Sequence, residues 1–218
     1  MKKTIFAIII VLILVIGLSG SLYTVREDQY ACTFRFSEIV NTETEAGLHF
    51  KIPFVDTVEY FTKAAEQGHV MSQTYLGICY YNGYGVERDY AKAAEWNARA
   101  AAQGDSDALK ELGLSYYLGE GVEQSYDKAI ELWLLASEKG NADAQNYLGN
   151  CYYEGKGVEQ DYAVAVEWYS KSAALGHAEA QNTLGWCYYN ALGTEANDGK
   201  AFEWFSKSAS QNHAYAQY

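Results

Sequence analysis

From residue 69 onward the chain repeats itself every 36 residues. Leu-Gly recurs at 76–77, 112–113, 148–149 and 184–185, and Tyr-Tyr at 80–81, 116–117, 152–153 and 188–189. A unit of this size cannot bury its own apolar face, so such a chain must build a core by stacking neighbouring copies. The spacing within one unit predicts two helices. The small residues Ser72, Ala108, Ala144 and Ala180, followed in the first unit by Leu76, Cys79 and Tyr80, mark an i, i+4, i+7, i+8 stripe, which is the buried face of a first helix, helix A. Gly83, Gly85 and Val86 break it, and G-x-G-V returns at 119–122 and 155–158. Asp89, Ser125, Asp161 and Asn197 come next, residue types whose side-chain oxygens satisfy the free N–H groups at a helix start. They open helix B, which carries Ala93, Ala129, Ala165 and Ala201 and an aromatic series of Trp96, Trp133, Trp168 and Trp204. Its ends fall at Gly68, Gly104, Gly140, Gly176 and once Asn212, the residues that best accept a left-handed C′ position.

This divides residues 56–218 into a half-unit at 56–68, units at 69–104, 105–140, 141–176 and 177–212, and a new helix-A start at 213–218. Thr57–Gly68 aligns with Ala165–Gly176 and is therefore a helix B, opened by a capping box of Asp56 and Glu59. The fourth unit departs from the pattern, with Ala191 for the first loop glycine and Asp198 for a helix-B tyrosine. Residues 64–96, AAEQGHVMSQTYLGICYYNGYGVERDYAKAAEW, resemble the Sel-1-like repeat, a relative of the tetratricopeptide repeat. The resemblance implies a mainly α fold, a right-handed α-solenoid of helix-turn-helix repeats, here preceded by one transmembrane helix and a short β-hairpin.

Residues 1–23 predict the transmembrane helix. Lys2 and Lys3 precede an uncharged, mostly apolar run to Tyr23, and at about 1.5 Å per residue it spans roughly 28 Å, the thickness of a bilayer core. A secretory signal has a shorter apolar region, of about 7 to 15 residues, so a retained anchor is favoured and secretion after cleavage is the alternative. The two lysines place the N-terminus in the cytoplasm. The expectation is a single-pass protein of a bacterial inner membrane, held by residues 4–23, with its repeats in the periplasm.

Residues 24–55 predict a hairpin that packs on the first helix B as a cap. Tyr30, Cys32, Phe34 and Phe36 alternate with polar neighbours, as do Leu48, Phe50, Ile52 and Phe54, and residues 41–47 form the turn between them. YTVREDQYACTFRFSEIV and AGLHFKIPFVDTV resemble the start of the stomatin/prohibitin (SPFH) family, most closely its HflC-type members. The resemblance covers about residues 1–58 and implies, as an alternative role, regulation of an FtsH-type membrane protease complex.

The net charge of −12 excludes a phosphate-binding surface, and with it a nucleic-acid partner. No metalloprotease, nucleophile-elbow or paired-carboxylate motif is present, so neither catalysis nor a cofactor or metal is expected. His69, His177 and His213 share one turn column and read as exposed turn residues. Cys79, Cys151 and Cys187 share a core column with Ser115 and read as small buried residues, unlike the bridging cysteine pairs of the Sel-1-like proteins for which β-lactam hydrolysis has been proposed. That activity is the weakest alternative.

What remains is binding of a protein or peptide on the concave, helix-A side. With Leu76 pointing inward, positions 74, 78 and 81 fall on the opposite side of a helix that turns 100° per residue. In later units these columns hold Lys110, Asn146 and Asn182; Asn150 and Trp186; and Tyr153 and Tyr189. Likeness to tetratricopeptide grooves implies that the asparagines clamp a peptide backbone while the aromatics take its side chains. Asn146, Asn150, Asn182, Trp186, Tyr153, Tyr189 and Lys110 are thus the expected partner-binding residues.

Overall fold

A computed structural model describes residues 22–25, 33–35, 38–40, 47–50 and 55–215. Contacts divide the chain into two units, Met1–Arg88 and Asp89–Tyr218.

The first unit holds four short strands and two helices. β1 (Leu22–Val25) pairs antiparallel with β4 (Gly47–Phe50), and β2 (Thr33–Arg35) with β3 (Glu38–Val40). The expected hairpin between Tyr30–Phe36 and Leu48–Phe54 therefore does not form. Thr33–Arg35 pairs instead with Glu38–Val40, which is nearer in sequence and so costs less closure entropy than pairing with Leu48–Phe54. The strands pair with one another, and none packs substantially on a helix among the described residues, so the anticipated cap on the first helix B is not seen. Residues 1–21, most of the expected anchor, lie outside the described residues, as does Cys32; Leu22 and Tyr23 belong to β1. No described helix is long and apolar enough to cross a membrane.

α1 (Val55–Glu66) is the helix B of the half-unit. It starts before Asp56, which therefore lies in its first turn rather than capping it. Phe61 and Ala65 are buried, and α2 (Val70–Asn82) packs against it, with Phe61 and Tyr75 at 5.6 Å and Gln73 Nε2 donating to the Ala65 carbonyl at 2.9 Å.

The second unit is a linear series: α3 (Tyr90–Ala102), α4 (Ser106–Leu118), α5 (Tyr126–Glu138), α6 (Ala142–Glu154), α7 (Tyr162–Ala174), α8 (Ala178–Asn190) and α9 (Asp198–Tyr215). Each packs chiefly on its neighbours in sequence, most closely within the A–B pairs α4–α5, α6–α7 and α8–α9. The N-caps fall where the residue types put them: Asp89, Ser125, Asp161 and Asn197 accept from the N–H groups of Lys92, Lys128, Val164 and Lys200. Gly104, Gly140 and Gly176 end helices B with positive φ, and the residue after each bonds back five residues, the pattern of a Schellman turn. That next residue also caps helix A, so Asp105, Asn141 and His177 close one helix and open another. α9 departs from this pattern. It runs through Asn212 to Tyr215, because asparagine has a Cβ and gains less than glycine from the left-handed turn.

Three glycine columns explain why the motifs are spaced as they are. A Cβ on Gly113 would stand 2.5 Å from Trp133 Nε1, and on Gly149 2.6 Å from the Tyr169 ring, so the glycine of Leu-Gly lets a helix-B aromatic lie on helix A. This corrects the aromatic series: Trp133 belongs with Tyr169 and Phe205, one position after Trp96, Trp168 and Trp204, and it is buried, with Nε1 bonded to the Lys110 carbonyl at 3.1 Å. The first loop glycine ends helix A with φ of 75° at Gly119 and 72° at Gly155. The second touches the preceding unit, since a Cβ on Gly121 or Gly193 would lie 2.1 Å from the carbonyl oxygen of Tyr90 or Tyr162.

Candidate functional site

The helix-A surface begins with the caps. At the start of α8, Nδ1 of His177 accepts from the Ala180 N–H at 3.1 Å and Nε2 reaches Asp143 Oδ1 at 3.1 Å. Asp143, in the first turn of α6, also meets Lys110 Nζ of α4 at 3.4 Å, and Lys110 meets Glu111 at 2.7 Å. Three successive helices A are thereby joined by one chain of charged and polar groups. The His177 hydrogen bond, with Lys110 and the His177 ring adding to it, outweighs burial and holds the Asp143 carboxyl below the usual carboxylate range. Burial would lower the pKa of Lys110, but Glu111 and Asp143 raise it further than burial lowers it, so it stays charged. His69 plays the same capping part for α2, with Nδ1 accepting from the Ser72 N–H at 3.3 Å. His69 and His177 are therefore helix caps, and His177 is largely covered, with 18% of its side chain exposed. The alternation His69, Asp105, Asn141, His177 in one column, all capable of accepting at a helix start, was the signal for this role.

The expected binding residues divide into two groups. Asn146 does not face outward: it is 1% exposed, and its Oδ1 has no hydrogen-bond partner among the described residues. Thr74 in the same column is buried too. Projecting outward from Leu76 supposes one buried direction, whereas a helix A inside a stack is packed by its own helix B and by the units on both sides. Lys110 is mostly covered and engaged by Glu111 and Asp143. Asn150 is half-buried, its Oδ1 accepting from the Tyr169 hydroxyl at 2.7 Å, and burial pushes that hydroxyl's pKa up. Tyr153 is half-buried between Tyr162, at 5.1 Å edge-on, and Tyr169 at 6.4 Å.

Asn182, Trp186 and Tyr189 are exposed together on α8, the two rings 5.9 Å apart and edge to face. Trp186 is 51% and Tyr189 59% exposed, and Phe202 of α9, which sequence reasoning missed, is 74% exposed. Phe202 occupies the column of Ile130, and Ile130 packs where a Cβ on Gly157 of the next unit would lie, 2.9 Å away. Asn182, Trp186, Tyr189 and Phe202 are thus exposed side chains of the fourth unit. Among the described residues no group of three or more His, Cys, Asp or Glu is placed to hold a metal ion.

Comparison with known proteins agrees with this geometry. The Sel1 repeat matches at residues 57–69, 70–105, 106–141, 142–177 and 178–213. The structure of c5321, a protective antigen of uropathogenic Escherichia coli displaying an SLR fold, is 39% identical and superposes with a TM-score of 0.69 over 72% of this chain and 34% of its own. A Sel1 repeat protein from Oxalobacter formigenes is 39% identical, with a TM-score of 0.65 over 72% of this chain and 46% of its own. A separate likeness, 37% identity over 65 residues, links the chain to the modulator of FtsH protease HflC of Escherichia coli K12, covering 27% of this chain and 19% of that protein. The chain thus spans about a fifth of that curated relative and less than half of either solved structure. With repeat matches over most of its length and the same stacked helix pairs in its coordinates, the chain belongs to the Sel1 repeat family.

Proposed function

We propose that this chain is a non-enzymatic, membrane-anchored scaffold that captures a protein or peptide partner on its helix-A surface, with residues 4–23 as the anchor and the repeats in the periplasm. The observation that carries the reading is the pair Trp186 and Tyr189, each about half exposed and in contact on α8 beside Asn182. Adjacent exposed aromatics next to an amide combine apolar area with directional hydrogen bonding, the usual composition of an interface centre. Membership in the Sel1 repeat family supports a protein partner in general. The test is affinity isolation of the tagged full-length chain from membranes, followed by mass spectrometry, for the natural chain and for Trp186→Ala with Tyr189→Ala. A partner recovered with the first and lost with the second is the expected result; equal recovery removes the surface from consideration. Retention of the chain in membranes after alkaline extraction tests the anchor, and appearance in the medium would mean cleavage instead.

A second reading is favoured by the likeness to the modulator of FtsH protease: the N-terminal part engages an FtsH-type membrane protease. Recovery of such a protease with the full chain, and not with a chain whose residues 24–55 are replaced, is the expected outcome. A protease present at background level in both would eliminate it.

A further inference from the structure

Charge is divided unevenly between the two kinds of helix within residues 89–215. Helices B carry acids and bases in near balance, and their cations are occupied within the chain: Arg99 lies over Trp96 at 4.4 Å, Lys171 over Trp168 at 3.9 Å and Lys207 over Trp204 at 4.1 Å. The helices A, α4, α6 and α8, carry Asp107, Glu111, Asp143, Glu154 and Glu179 against Lys110 alone. Lys110 is already held by Glu111 and Asp143. The helix-A side therefore carries surplus negative charge.

Two groups on α8 stand outside this pairing among the described residues. Glu179 is exposed and has no ion-pair partner among the described residues. Trp186, half exposed, touches Tyr189 and Phe205 edge to face at 5.9 and 6.0 Å, but among the described residues no cation lies over it as one lies over Trp168 and Trp204. Residues seven apart share a helix face and are separated by roughly 10 Å along the axis. A segment in the polyproline II conformation has three residues per turn and rises about 3.1 Å per residue, so side chains three apart lie on one face and span roughly that distance.

We propose that α8 binds a basic polypeptide segment in the polyproline II conformation, in which two Lys or Arg side chains three residues apart meet Glu179 and the face of Trp186. The proposal rests on the scaffold reading above and adds the partner's chemistry. The partner supplies at Trp186 the cation that Lys171 and Lys207 supply at their own tryptophans. Arginine suits both contacts, since its planar guanidinium stacks on an indole and forks onto a carboxylate. A net charge of −12 steers such a segment toward the chain.

The test uses the full-length chain in detergent and fluorescein-labelled twelve-residue peptides carrying Arg-x-x-Arg, Glu-x-x-Glu, or two arginines six residues apart. Fluorescence anisotropy is expected to show the Arg-x-x-Arg peptide binding about fivefold or more tightly than the wider-spaced one, and no binding of the acidic one. Glu179→Gln and Trp186→Leu should each weaken binding by about three- to thirtyfold, while Glu167→Gln, an exposed carboxylate on α7, leaves it unchanged. Circular dichroism checks that each variant is folded, and Trp186→Phe, which keeps an aromatic face, should retain part of the affinity. Equal affinity for the two arginine spacings, no binding of the basic peptide, or full affinity in both variants would overturn the proposal. A partner captured from membranes equally well by the natural chain and by Glu179→Gln leaves the scaffold reading intact and defeats this one.

Discussion

The third and fourth units share half of their residues, and residues they have in common experience different surroundings. Asn146 of the third is 1% exposed while Asn182 of the fourth is open to solvent, and Tyr153 is wedged against Tyr162 and Tyr169 while Tyr189, facing Asp198 in place of a tyrosine and lacking the glutamine that Gln160 supplies to Tyr153, is 59% exposed. A column in a repeat fixes which way a side chain points; the residues packed beside it fix whether that direction is core or surface. The lesson extends to the loops. The fourth unit has lost its first loop glycine and kept the second, because the first only supplies a left-handed helix end, which Ala191 still adopts at φ 56°, whereas the second lies against a neighbour's backbone.

The largest effect should come from the stacking glycine. Gly121→Ala places a methyl group on the Tyr90 carbonyl at a φ of 75° and should cost about 3 kcal/mol or more, against about 1 kcal/mol for Gly119→Ala, where the helix end is strained and the nearest atom, Cβ of Gln124 at 3.2 Å, must give only slightly; urea denaturation measures both. Similar values would mean that units do not stack through this loop. Next, Gly149→Ala should cost about 2 kcal/mol, since the Tyr169 ring it strikes is buried and tethered to Asn150, whereas Gly185→Ala should cost about half of that because the Phe205 ring, less buried, can move.

Alkaline pH probes the cysteine column. Burial pushes the thiols of Cys79 and Cys187 up to about 11 and that of Cys151 up to about 12, from an ordinary 9.0. The folded pKa is the higher one, so this contribution to stability is complete below pH 9, where folded and unfolded thiols are both neutral, and falls as pH rises from 9 toward 11 and 12 because only the unfolded chain loses the proton. Thermal melts between pH 8 and 10.5 should show that decline, and maleimide labelling at pH 8 should reach Cys187 before Cys151 if the fourth unit, with its exposed aromatics and left-handed Ala191, opens first. Uniform labelling of the two would erase the distinction between the third and fourth units. In the opposite direction, Ala191→Gly should stabilise the chain by about 1 kcal/mol, by relieving the left-handed alanine. The smallest effect is Asn182→Ala, within about 0.5 kcal/mol of the natural chain by the same denaturation; a larger loss would show that the fourth unit is covered after all.

Much of the fold was legible because the signals are local and recur. Leu76, Leu148 and Leu184 are buried where the helix-A stripe put them, the four helix-B caps bond as their residue types require, and Cys79, Cys151 and Cys187 are buried free thiols. The strand pairing was misjudged because a short apolar alternation specifies a strand but not its partner. The candidate site was legible only in part. Trp186 and Tyr189 are exposed as expected, but Asn146 is core, and the helix-capping part of His177 depends on Asp143 and Ala180 lying beside its two ring nitrogens.

By itself the sequence determined the period, the two helices of each unit and where each starts and stops, since these depend on contacts within a few residues: a capping side chain, a left-handed glycine, an apolar stripe. Only the tertiary structure decided that Gly113 and Gly149 make room for Trp133 and Tyr169, that Lys110, Asp143 and His177 meet across three helices, and that one asparagine of a column is buried while its equivalent meets solvent. Those outcomes are set by contacts between helices, within a unit and between units, that no short run of residues encodes.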